Sequence, residues 1–136
     1  MDPKRTEDSE ASPELMAVIS VARQSLASGD YDAVLVFRRL YDKAPSPLLA
    51  EILCQAYLGQ GENFANSAHI AGRGKLQLWK KAEAGFLAAL ALNPKMEQAL
   101  LRYGYVLLEQ AVCVPTDEAK QLYTQAATEF QKIVRV

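Results

Sequence analysis

The chain has 136 residues, half of them apolar and 23% charged, with a formal net charge of -1. That is the balance of one ordinary globular domain with enough length for a core of its own, and it supplies no basic field for nucleic acid. No run approaches the roughly 20 apolar residues of a membrane-spanning helix.

Residues 1–11 carry acids, bases and hydroxyls but no periodic apolar residue, so they are expected to form a disordered tail. The N-terminus opens DPKRTEDSEAS rather than with a basic-then-apolar leader, so no cleaved signal is expected, and two cysteines with the look of reduced thiols predict a cytoplasmic protein, or one on the cytosolic face of an organelle. Ser12-Pro13-Glu14 starts a first helix running to about Ser28, with a hydroxyl cap, proline at the first helical position and an acid in the first turn. Gly29-Asp30-Tyr31 reads as a turn. Ala33, Phe37 and Leu40 then mark one face of a second helix that Pro45 closes. Ser46-Pro47 repeats the start signal 34 positions after Ser12-Pro13, and the helix it opens is expected to end near Gly59 or Gly61. Trp79, Ala82, Phe86 and Ala89 share a face of another helix, an alternation of bulky and small side chains that suits close approach to a neighbour, and Asn93-Pro94 ends it. A further helix reaches about Ala111. Tyr123, Ala126, Phe130 and Ile133 resume the spacing in a sixth, from about Thr116 to Val136.

A period of 34 residues is that of tetratricopeptide repeats. GDYDAVLVFRRLYDKAP, LLAEILCQAYLGQGE and WKKAEAGFLAALALNPKMEQALLRYGYVLLEQ resemble the hairpins of that family, and the resemblance covers about residues 13–134. It implies an all-α fold, a right-handed solenoid of about three helical hairpins over residues 12–136. Two excesses depart from the pattern. One is the segment ENFANSAHIAGRGKLQL within 62–78, read as lengthened helices or a projecting loop; the other contains VCVPTDEAKQL. Within the family, PTDEAKQLYTQAATEFQ is similar to the cytosolic domain of plant-type mitochondrial import receptors, which carry a C-terminal membrane anchor, and type III secretion chaperones use the same repeats. Membrane contact is expected only if such an anchor is missing from this sequence.

Catalytic chemistry finds little footing. His69 is the single histidine and is expected in an exposed loop, so it builds no His-pair metal site. Cys54 and Cys113 lie apart from any CxxC or Cys/His spacing and read as reduced core thiols. GRGK lacks the glycine at His69 and the hydroxyl at Leu76 that a phosphate loop requires. Arg73, Lys75, Lys80 and Lys81 read as a solvated helix start, and Glu51, Glu83, Glu97 and Glu109 are scattered. No enzyme and no cofactor are expected.

The resemblance instead implies a concave groove lined by the first helix of each hairpin. Its positions fall on Met16, Ile19 and Arg23, on Leu48, Ile52 and Gln55, and on Gln98, Leu101, Arg102, Tyr105 and Leu108. Leu26 and Leu58, on the same helices, read as inter-helix core. The groove is too apolar for the lysine and asparagine clamp with which some members grip acidic chaperone tails, only Arg23 or Arg102 being comparable. It suits an apolar peptide or an amphipathic helix of a partner. The expected function is a non-catalytic adaptor, receptor or chaperone, the alternative being a structural subunit of a stable assembly. Leu122, Ile133, Val134 and Val136 leave an apolar side on the last helix, an edge expected to be covered by a second copy, a partner or a further C-terminal helix.

Overall fold

The computed structural model describes residues 13–27, 33–71 and 75–135. Six helices follow in chain order: α1 (Pro13–Ala27), α2 (Ala33–Lys43), α3 (Pro47–Ile70), α4 (Lys75–Leu92), α5 (Glu97–Val112) and α6 (Thr116–Arg135). The described residues contain no strand, as expected of an all-α chain. The tail 1–11, the turn Gly29-Asp30-Tyr31, most of GRGK and Val136 lie outside the described residues.

Local chemistry sets the helix ends. Ser46 holds an extended backbone, its side-chain oxygen accepts from the Leu49 amide at 3.1 Å, and Pro47 occupies the first helical position of α3. Asn93-Pro94 stops α4 as expected, with the Asn93 side chain accepting from the Lys95 amide at 3.2 Å. Asp117 and Glu118 place negative charge on the exposed amides at the start of α6.

The main correction concerns α3, which does not stop at Gly59 or Gly61 but runs on to Ile70. Gly61 is there for space rather than for termination. A Cβ on it would stand 2.7 Å from the Phe86 ring of α4, and a Cβ on Gly85 would stand 2.9 Å from the Cα of Gly61. The same device recurs one hairpin later, where a Cβ on Gly104 of α5 would meet the Phe130 ring of α6 at 2.6 Å. Helix interiors tolerate glycine at a cost of about 1 kcal/mol, here offset by the close packing of a large ring. Most of the excess at 62–78 is therefore helix, two turns added to α3 and one to α4.

Each helix packs on the next in the chain, most closely in the pairs α3–α4 and α5–α6, and α3 also reaches α5. Short connections make such neighbours antiparallel. Two clusters form one continuous core. Ile19, Phe37, Ile52 and Leu53 centre the first, and Leu58, Trp79, Phe86, Tyr103 and Leu107 the second, with Tyr57 and Leu92 touching both. Trp79, Ala82, Phe86 and Ala89 are all fully buried, as their shared face predicted. At the equivalent positions of α6 Ala126 is fully buried, whereas Tyr123 stays 49% exposed because no further described helix covers it.

Enlarging Gly85 forces backbone against backbone, which no rotamer relieves. Gly85→Leu is expected to lower stability by roughly 1–3 kcal/mol, whereas Leu at the exposed neighbour Ala84 leaves the melting temperature nearly unchanged. Thermal denaturation of the two variants checks this.

Candidate functional site

The continuation of α3 past Gly61 carries Glu62, Ala65, Asn66 and His69 at helical spacing along one face. Opposite them α5 presents Leu101, Arg102, Tyr105 and Val106, and between the two rows lies a cleft of about 510 Å³. Phe86 and Phe130 contribute to its wall, so the rings that fill the gaps at Gly61 and Gly104 also back the cleft. Leu101 is 52% and Tyr105 41% exposed at its edge. The volume falls within the range of roughly 300–1,000 Å³ typical of ligand pockets.

Two polar bridges cross from α3 to α5. Arg102 Nε donates to the Glu62 carboxylate, both side chains remaining partly exposed. The Tyr105 hydroxyl and His69 Nε2 share a hydrogen bond of 3.3 Å. Behind them the His69 ring stands edge-on to the buried Trp79 at 5.0 Å between centroids, and the Tyr105 ring meets Trp79 at 6.1 Å in a similar T-shaped arrangement. Burial, then hydrogen bonding to and the negative charge of Glu109, raise the Tyr105 pKa. His69 is thus exposed as expected, but it sits on a helix and not in a loop.

No protein-family model, curated protein or solved structure matches this chain. Among the described residues no group of three or more His, Cys, Asp or Glu side chains is placed to hold a metal ion, and no helix is long and apolar enough to cross a membrane.

The groove residues expected from sequence are distributed unevenly. Leu101, Arg102 and Tyr105 share the cleft. Met16 and Arg23 lie exposed around a separate hollow on α1, whereas Ile19, also at that hollow, is a correction: it is 2% exposed and belongs to the core cluster of Phe37 and Leu53. Leu48, Gln55 and Gln98 are exposed outside the cleft's lining, and Leu108 packs partly buried against the core. Ile52 is a correction: it is buried beside Phe37 and Leu53 and faces no groove. A helix that ends at Gly59 or Gly61 offers only its N-terminal half to a groove, whereas the α3 side of the cleft lies beyond Gly61. Glu62, Ala65, Asn66 and His69 were missed for this reason, although their spacing of three, one and three was present in the sequence. Lys80 and Lys81 are both exposed, with the Lys81 ammonium 5.6 Å from the centroid of the Phe64 ring. Cys54 is buried and its thiol donates to the Ala89 carbonyl at 3.3 Å, whereas Cys113, expected in the core, is exposed at the end of α5.

A second polar group of side chains lies where α4, α5 and α6 meet. Gln125 Nε2 donates to the Tyr103 hydroxyl at 2.6 Å, and Lys132 donates to the buried Glu129 at 2.9 Å. Burial, with the charges of Glu83 and Glu129, pushes the Tyr103 pKa up to about 12. Burial also raises the Glu83 pKa, against the opposing influence of the Gln110 amide and Lys80. The Gln125–Tyr103 bond joins α6 to α5, the Lys132–Glu129 pair lies within α6, and a hollow of about 320 Å³ beside them is lined also by residues of α4.

Two expectations follow from these environments. The folded Glu83 holds its proton more tightly than the unfolded one, so stability falls as pH rises from the ordinary value of 4.5 through the raised one. Glu83→Gln should therefore melt above the wild type at neutral pH and lose that advantage below about pH 4, as calorimetry across pH would show. The two thiols should also separate: Cys113 reacts with a thiol reagent in the native protein, while Cys54, buried and with its pKa raised by desolvation, waits for unfolding.

Proposed function

We propose that the chain is a non-catalytic protein-protein interaction module, an adaptor, receptor or chaperone that holds a segment of a partner in the α3–α5 cleft. The observation that carries this reading is the cleft itself, with Phe86, Val106 and Phe130 in its wall and Leu101 and Tyr105 exposed at its edge. Half-exposed aromatic and aliphatic side chains around a preformed hollow are the usual anchors for an amphipathic helix or an extended apolar segment. Within the lining Glu62 is paired with Arg102, so charge is balanced there and recognition falls to the aliphatic side of the segment, its polar side facing solvent.

The architecture proposed around it is a right-handed solenoid of tetratricopeptide-like hairpins, supported by the glycine-phenylalanine contact that recurs in α3–α4 and α5–α6. A cytoplasmic location, or one on the cytosolic face of an organelle, accords with that role. The second reading, a structural subunit of a stable assembly, is favoured by the exposed Val21, Leu35 and Val36 on the first two helices and by Val134 and the half-exposed Tyr123 on the last.

Titration with a synthetic amphipathic helix of leucine, alanine and arginine tests the first reading. Tyr105→Ala is expected to cost on the order of 2 kcal/mol of affinity per folded molecule, roughly thirtyfold, measured well below a melting temperature that falls somewhat because the ring also packs on Trp79. Ala82→Leu, at a fully buried helix contact, overpacks the core by roughly 1–3 kcal/mol and lowers the melting temperature first. If Tyr105→Ala instead leaves affinity per folded molecule unchanged, the cleft is not the binding surface. One stoichiometric, non-exchanging partner in the native complex would favour the subunit reading.

A further inference from the structure

The backbones of α3 and α5 touch little, yet two side-chain bridges span the gap between them, Glu62 to Arg102 and His69 to Tyr105. We propose that these bridges are straps that fix the width of the cleft in the free protein and keep Trp79 sealed behind the His69 and Tyr105 rings. This rests on the reading of the cleft as a binding groove, whose occupant must part the straps to seat its anchors.

Three observations carry the inference. The bridges are the cross-cleft polar contacts among the described residues, and they lie at separate levels, seven residues apart on α3 and three on α5. Both are of a kind that opens readily: the Glu62 and Arg102 side chains are 38% and 43% exposed, and a pair so placed is worth little against water, as is one neutral hydrogen bond at the surface. Behind them Trp79 is fully buried, although two of the rings packed against it, His69 and Tyr105, belong to exposed residues whose hydrogen bond joins the two helices. A cleft backed by tightly packed phenylalanines but closed by weak polar contacts is rigid below and adjustable above.

Trp79 is the only tryptophan in the chain, so its fluorescence reads the straps directly. Glu62→Ala combined with Tyr105→Phe removes the acceptor of Arg102 and the hydroxyl while leaving the His69 and Tyr105 ring positions filled. With no ligand present, quenching of Trp79 by acrylamide is expected to rise roughly twofold or more at unchanged helicity, because losing both straps shifts the open fraction about five- to thirtyfold. Exchanging the charges, Glu62→Arg with Arg102→Glu, is expected to restore wild-type quenching when Tyr105 is intact, whereas Glu62→Arg alone is not. Unchanged quenching in the strapless variant, or equal quenching in the exchanged and singly reversed variants, overturns the proposal. The leucine, alanine and arginine helix is then titrated against both proteins, and the strapless variant should bind it about five- to tenfold more tightly. If the helix binds neither protein, the binding-groove reading fails, while the straps are still judged by Trp79 quenching alone.

Discussion

The Phe86 ring rests where a side chain at Gly61 would otherwise begin, and this single contact governs much of the molecule. It lets α4 lie against α3 at backbone distance, with Gly85 set against Gly61 from the other side. A helix carrying glycine pays in backbone entropy, so α3 keeps its helical form through Gly59 and Gly61 because packing against α4 outweighs propensity. Two further turns of α3 follow from that, and with them the row of side chains that faces α5. Phe130 over Gly104 repeats the arrangement one hairpin later, and both rings reach the cleft.

The cleft therefore combines two kinds of contact with different mechanical character. Its base is close-packed apolar core, where even a methyl group has no room. Its upper edge is polar and partly wet, held by an ion pair and a hydrogen bond whose individual contributions in water are small.

The junction of α4, α5 and α6 shows the opposite arrangement, polar groups drawn into the interior. Tyr103 and Glu129 are buried with hydrogen-bonding partners, while the Gln110 amide nitrogen has none among the described residues. Buried groups of this kind contribute little net stability, because desolvation offsets most of what their contacts supply. They act instead on geometry, since Tyr103 meets Gln125 only when α5 and α6 are in one register.

The helices were legible in the sequence because their signals are local. Ser46-Pro47 and Asn93-Pro94 determine backbone conformation within a few residues, and Trp79, Ala82, Phe86 and Ala89 declare a buried face by spacing alone. Leu101, Arg102 and Tyr105 were named as groove positions only through the resemblance to tetratricopeptide hairpins, and the structure brings the three together at the cleft. What the sequence left open depended on partners distant in the chain. Gly61 reads as a helix end until Phe86 is known to lie over it, and His69 reads as a loop residue until that helix is known to continue beyond it. Ile52 has the same apolar character as a groove anchor, and only the packing of α2 against α3 turns it inward beside Phe37. Local spacing determined which residues share a face; which face meets another helix, and which is left open as a cleft, was decided by close packing between segments that the chain brings together only on folding.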